Sequence, residues 1–165
     1  MTLNDFKCVC EDVNLDDYLK LYNYVRDNME HKEWLGTFTK EEIVEILSRG
    51  GKIWIYYDKD KLVCSMFLIP VTDKILNKHN VNTDSKITTS FGPLMVSPEY
   101  IGNGFQSAMM KKFNEYVKSL GMKYIFTKAH KDNIYSTRNV LKDGYKIVDE
   151  YTNERGNMLA FLKNL

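Results

Sequence analysis

Cysteine is scarce, and the three present are poorly spaced for a shared task. Cys8, Cys10 and Cys64 form neither a disulfide framework nor a zinc-ligand pattern. Cys8-x-Cys10 is too close for a C-x-x-C motif; it falls in an expected strand, where both side chains would share one face. Thiols of a reducing compartment are the expectation. No N-terminal apolar run resembles a signal peptide, and no stretch approaches the roughly 18–20 apolar residues of a membrane span. The sequence therefore points to a cytoplasmic protein with no membrane partner. Neither sign of charge dominates: 23 Lys/Arg against 22 Asp/Glu leave a net +1, which gives no support for a nucleic-acid partner. Repeats, low-complexity segments and linkers are missing too. One domain over residues 1–165 is expected, as a monomer or homodimer.

What charge there is lies unevenly. Residues 1–50 carry 6 Lys/Arg and 11 Asp/Glu, whereas residues 51–165 carry 17 and 11. Two readings stand: an acidic side for a cationic substrate with a basic side for a phosphorylated cofactor, or solvated faces that differ by chance.

Phe6–Cys10 reads as a first strand. Asn14 or Asp16 then caps a helix over Asp17–Met29, with Leu15, Tyr18, Leu21, Tyr22 and Val25 as its apolar face. After a loop containing Trp34, Thr39-Lys40-Glu41-Glu42 forms a capping box. It opens a helix through Ile43, Ile46 and Leu47 that stops at Gly50-Gly51. Lys52–Tyr57 and Leu62–Pro70 predict a hairpin. Val71–Lys86 is polar, with Val71, Ile75, Leu76 and Val81 as its apolar residues, and is expected as a long loop. Further strands are expected over Ile87–Val96, Lys123–Ala129, Tyr145–Thr152 and Met158–Leu162, with a helix over about Ile134–Lys142. Strands and helices alternate only in the second half, so the fold class is α+β with a mixed sheet.

The most informative stretch is Phe91–Met110. It reads as a strand, a turn holding Gly102 and Gly104, and a helix whose apolar residues are Phe105, Met109, Phe113, Tyr116, Val117 and Leu120. The stripe Phe105, Met109, Phe113, Val117 and Leu120 is expected in the core. A helix that begins at a glycine turn directs backbone N–H groups and its positive dipole end outward, which suits a phosphate. The Walker pattern is absent. The dinucleotide pattern G-x-G-x-x-G lacks its third glycine, since Ser107 stands there, and an antiparallel hairpin precedes the strand.

Val96-x-Pro98-x-Tyr100-x-Gly102-Asn103-Gly104-Phe105 resembles the acetyl-CoA signature of the GNAT superfamily of N-acetyltransferases. Downstream, Asn133-Ile134-Tyr135-Ser136 and Asn139-Val140-Leu141-Lys142-Asp143-Gly144-Tyr145 are similar to that family's second block. The resemblance implies a GNAT (acyl-CoA N-acyltransferase) fold: a mixed, mostly antiparallel sheet flanked by helices. It also implies acetyl-CoA as cosubstrate, without a metal. The cofactor's pyrophosphate would lie on Gly102, Asn103, Gly104, Phe105, Gln106 and Ser107. Its pantetheine arm would run along Leu94, Met95 and Val96, with Asn133 and Ser136 beside it. The departures from the family pattern are Ile101, where Arg or Gln is usual, Gln106, where Gly or Ala is usual, and Val140, where a thiolate-protonating tyrosine is usual.

The implied chemistry is direct attack of an amine on the thioester. It needs a base, donors for the carbonyl oxygen and an acid for the thiolate. Backbone N–H groups near Leu94 and Met95 could supply the donors. Thr88–Pro93 offers no carboxylate base. Tyr135 is the candidate acid. Glu30, His31 and Glu33 could border the substrate or be solvated loop charges; His130 could titrate at the site or cap a loop. Lys111, Lys112 and Arg138 could meet CoA phosphates or be surface charges. The expected function is an N-acetyltransferase acting on a primary amine of a small molecule or peptide. The competing expectation is a catalytically silent CoA-binding module, with a nucleotide-binding dehydrogenase a distant third.

Overall fold

A computed structural model describes residues 9–10 and 15–165. Phe6–Cys8, the cap Asn14 and the side chains of Cys8 and Cys10 lie outside the described residues. Among the described residues, seven strands form one sheet: β1 (Val9–Cys10), β2 (Lys52–Asp58), β3 (Lys61–Pro70), β4 (Thr88–Val96), β5 (Tyr124–His130), β6 (Lys146–Asn153) and β7 (Gly156–Asn164). Their spatial order is β1-β2-β3-β4-β5-β7-β6. Every neighbouring pair is antiparallel except β4 and β5. The helices are α1 (Leu15–Asp27), α2 (Lys40–Ser48), α3 (Asp73–Lys78), α4 (Phe105–Ser119) and α5 (Ile134–Lys142). The mixed, mostly antiparallel α+β architecture agrees with the expectation.

Strand alternation assigns the helices to faces. Ile53, Ile55, Phe67 and Met95 pack with Tyr18, Leu21 and Val25 of α1 and Ile43 and Ile46 of α2. Trp54, Met66, Ile125 and Phe161 point the other way, against Met109, Phe113 and Val117 of α4 and Val140 of α5. Phe126 and Ala160 meet Leu76 of α3. Because Phe126 is opposed to its neighbour Ile125, α3 shares a face with α1 and α2. The central strands are covered on both sides and read as continuous apolar runs. β6 has one strand neighbour and is half open to solvent, with Ile147 50% exposed.

The Thr39 capping box forms completely: Glu42 N donates to Thr39 Oγ1 at 3.1 Å, and Thr39 N donates to Glu42 Oε2 at 2.7 Å. The expected loop Val71–Lys86 instead contains α3 and a 3-10 turn at Ser85–Ile87. Thr72 caps α3 by accepting from Ile75 N, and Asp84 caps the turn. A six-residue helix that buries Leu76 alone is too short to display a 3.6-residue period, so the pattern hides it. Leu120 is a second correction. It is 52% exposed, because α4 ends at Ser119 and Leu120 leaves the helical line that buries Val117.

Two substitutions test this register. Phe113→Ala is expected to cost about 3–5 kcal/mol, whereas Leu120→Ser should stay within about 0.5 kcal/mol. Urea denaturation of the two variants compares them directly.

Candidate functional site

β4 and β5 pair over only three residues: Thr88 with Tyr124, Thr89 with Ile125 and Ser90 with Phe126. Beyond that they part. β4 carries an extra residue against β3, since Met66 opposes Leu94 while Leu68 opposes Phe91. Such a bulge bends the strand, and Pro93 within it suits a broken ladder. At the start of the opening, Thr127 Oγ1 donates to Phe91 O at 3.1 Å.

The register shows which backbone groups line the opening. Ser97 N donates to Val63 O at 2.7 Å, so Ser97 and Val63 form a hydrogen-bonded antiparallel pair. By alternation Met95 also bonds towards β3, opposite Ser65, while Leu94 and Val96 direct their N–H and C=O groups into the gap. On the other side, Lys131 N donates to Asn157 O at 2.9 Å. Alternation along the β5–β7 ladder then turns Ala129 towards β7 and Lys128 towards the gap. Of the three expected β4 contacts, Leu94 and Val96 therefore face the gap. Met95 turns its backbone to β3 and buries its side chain against α1 and α2.

At the same end of the sheet lies the turn before α4. Gly102 and Gly104 have φ of +85° and +81°, where a side chain is unfavourable. Gly104 is the N-cap of α4 and offers no side-chain cap. The first-turn N–H groups, including those of Gln106 and Ser107, have no acceptor within the helix. The positive dipole end therefore faces outward, with Gly102, Asn103 and Ser107 exposed. Phe105 instead buries its side chain between Tyr56 and Tyr100. α5 differs: Asn133 caps it, its Oδ1 accepting from Ser136 N at 3.2 Å. The two helices are joined where Gln106 Oε1 accepts from Asn139 Nδ2 at 2.7 Å.

The turn is anchored from behind. Glu99 accepts hydrogen bonds from Ser97 Oγ at 2.5 Å and from the Tyr24 hydroxyl of α1, and Tyr100 donates to Asp58 Oδ2 at 3.2 Å. The Ser97 and Tyr24 hydroxyls hold the Glu99 carboxyl down to about 2. A cleft of about 380 Å³ opens behind this anchor, lined by Tyr24, Tyr57, Glu99 and Asp17 among others. It lies on the α1 side rather than at the β4–β5 gap. Its carboxylates Glu99 and Asp17 already accept from Tyr24 and Tyr57, so we assign it to the support of the turn.

The remaining candidates are scattered. His130 closes β5 and is buried, and both its ring nitrogens are engaged: Nε2 donates to Arg155 O at 2.9 Å and Nδ1 accepts from Asp132 N at 3.2 Å. That fixes one neutral tautomer and leaves no lone pair for a substrate proton. Gly156 is needed beside it, since a Cβ there would stand 2.8 Å from His130 Nε2. His31 stacks on Trp34 with centroids 4.4 Å apart and meets Glu33 Oε1 at 3.0 Å. Glu33 is held below the usual carboxylate range, first by its own backbone N–H and then by His31. Glu30 is an exposed loop residue. Tyr135 is 80% exposed on the first turn of α5, and its hydroxyl has no hydrogen bond to any described residue. Val140 is buried in the core. Lys111, Lys112 and Arg138 are exposed on α4 and α5. Among the described residues, no group of three or more His, Cys, Asp and Glu could hold a metal ion, and no helix is long and apolar enough to cross a membrane. Sequence reasoning missed Lys128 and Arg155, which carry no motif and stand out only through their neighbours.

No protein-family model and no curated protein matches the chain. Solved structures do. An N-acetyltransferase from Staphylococcus aureus Mu50 superposes with a TM-score of 0.72 at 13% identity, covering 96% of this chain and 99% of that one. A GCN5-related N-acetyltransferase from Kribbella flavida gives 0.69 at 12%, covering 96% and 98%. An acetyltransferase from Bacillus subtilis, solved in complex with CoA, gives 0.66 at 15%, covering 96% and 98%. Similarity this remote in sequence and this complete in structure establishes a shared fold.

Acid titration tests the Glu99 anchor. A carboxyl whose folded value lies below its unfolded value stabilises the fold fully above the unfolded value and loses that contribution as pH falls through the folded one. The stability difference between the wild type and Glu99→Gln should therefore be constant above about pH 5 and shrink towards zero as pH approaches about 2. Urea midpoints measured across that range report it.

Proposed function

We propose that this chain, which has the fold of the GCN5-related N-acetyltransferases, binds acetyl-CoA and transfers its acetyl group to a primary amine. The observation that carries the reading is the β4–β5 gap lying at the same end of the sheet as the uncapped start of α4. The gap presents alternating donors and acceptors of Leu94 and Val96 to an extended, amide-bearing arm. The turn offers outward N–H groups and a positive dipole end to phosphates. These features fit CoA, with Gly102, Asn103, Gly104, Phe105, Gln106 and Ser107 around the pyrophosphate. Asn133 and Ser136 flank the arm. The CoA complex of the structural neighbour supports the same reading.

Acetyl-CoA supplies an activated thioester. The chain's own contributions are orientation and polarisation. Leu94 N–H lies on the gap edge, where it can donate to an acyl oxygen. The amine loses its proton to solvent or to a group outside β4, which carries no carboxylate. Tyr135 is the candidate donor of a proton to the departing sulfur, and its side chain is 80% exposed on α5.

One observation favours a second reading, a CoA-binding module without turnover: the phenol of Tyr135 faces solvent and Val140 is buried in the core.

Calorimetry with acetyl-CoA tests the cofactor assignment, and no binding at high micromolar concentration would sink it. Gly104→Val should weaken binding by roughly tenfold or more, through the strained cap and the lost approach to the turn. Thiol release against a panel of amines separates the two readings, because sustained CoA release excludes the silent module. Tyr135→Phe is expected to lower kcat by about 10²-fold without moving the KM for acetyl-CoA if Tyr135 is the acid. Unchanged kcat assigns that proton to solvent.

A further inference from the structure

On the sheet face opposite α4 and α5, the gap is bordered by cations. Lys128 lies on β5 between Phe126, which packs on the α3 cluster, and His130, which meets Trp34 at 6.3 Å. Period-two alternation puts all three side chains on that face. Lys128 pairs in register with the small, fully buried Ala160 of β7, so its stem runs over a low floor between two helical groups. On one side stands α3, ending in Lys78. On the other stand the Lys32–Trp34 turn and Arg155 of the β6–β7 connection. Arg155 Nε donates to Glu33 O at 2.9 Å, and Nη2 donates to Trp34 O at 2.8 Å. The bonds to two carbonyls hold the guanidinium in place without neutralising it.

Charge is uncompensated here. Lys20, Lys32, Arg49, Lys131 and Lys163 have a carboxylate within ion-pair distance, and most other cations do not. What sets Lys128, Lys78 and Arg155 apart is that three such unpaired cations, among the described residues, act on one another beside the gap. Glu154 acts on Lys128 and Arg155 only from beyond that distance. Desolvation, and then the neighbouring Lys78 and Arg155, hold the Lys128 ammonium below the usual lysine range. Lys128 and Lys78 are exposed and Arg155 is half-buried, so solvent screens part of their repulsion, and the cluster still offers concentrated positive charge to an anion beside the gap.

Resting on the acetyltransferase reading above, we propose that the acceptor amine carries an anionic group, a carboxylate or a phosphate, which Lys128 and Arg155 bind on the face of the gap opposite α4 and α5. The α4 and α5 face is taken by the cofactor cradle, so the acceptor meets the thioester from this side. This departs from the cationic substrate suggested by the acidic N-terminal third: α1 and α2 lie on the same face of the sheet, but Lys128 and Arg155 are the charges beside the gap itself.

Matched acceptors test it: 4-aminobutyrate against 4-aminobutyramide for a carboxylate, O-phosphoethanolamine against ethanolamine for a phosphate, and 1,4-diaminobutane as a dication. Initial rates of CoA release should favour at least one anionic member over its neutral partner by roughly tenfold in kcat/KM. The pair showing the preference identifies the anion. In Lys128→Gln that ratio should collapse towards one, and in Lys128→Glu it should fall below one. Lys128 anchors no other element, so these variants are expected to fold, and acetyl-CoA calorimetry on each reports whether the gap is intact. Equal rates within both pairs, preference for the diamine, or no turnover of any member while acetyl-CoA still binds would overturn the inference and leave the cofactor assignment standing. Failure to bind acetyl-CoA would remove both.

Discussion

Two parallel strands that pair over three residues and then separate leave backbone donors and acceptors facing each other across a space too wide to close. Each such group kept from water without a partner costs about 1–3 kcal/mol, so a protein holds strands apart only where other forces fix the divergence. Here the β4 bulge turns the strand, and the Thr127–Phe91 bond marks where pairing stops. The Gln106–Asn139 bond ties the helices that flank the opening. The groups left over, Leu94 and Val96 on one side and Lys128 on the other, match an extended ligand with its own amides better than they match each other.

The turn at the mouth of this gap depends on contacts that are distant in sequence. Glycine φ values near +80° make the backbone shape possible, but they do not fix where the turn lies. Position comes from Glu99 gripping Tyr24, 75 residues away, and from Tyr100 bonding Asp58, 42 residues away. Held this way, the α4 N-terminus keeps a set orientation relative to both α1 and the β2–β3 hairpin. The cradle is thus a product of tertiary anchoring as much as of its own glycines.

That division explains what could be read in advance. Elements with strong local chemistry were legible: the Thr39 capping box, the β2–β3 hairpin, the glycine turn and the period of α4 up to Val117. The turn before α4 was visible as Gly102 and Gly104 after an apolar strand. α3 was not, because six residues with one buried side chain carry no period. Leu120 was misplaced because the period was extended one residue past the helix end. Gap-facing Leu94 and Val96 could not be told from Met95, since that distinction is one of register. Lys128 and Arg155 were invisible for a further reason. Their significance is that they come together with Lys78 beside the gap, and only three-dimensional neighbours reveal that.

The ionisable groups around the gap suggest how an amine could react without a dedicated base. β4 has no carboxylate, His130 has both ring nitrogens engaged, and Glu33 is held below the usual carboxylate range by its own backbone N–H and by His31. What this face does supply is positive charge. An ammonium drawn up to Lys128 and Arg155 by its own anionic group would meet like charge, and like charge favours the neutral amine. The cations that position the acceptor would therefore also help to shed its proton, to water rather than to a side chain. Under that arrangement catalysis rests on placement and on backbone polarity, which is consistent with a site whose best-defined parts are a strand edge and a helix start.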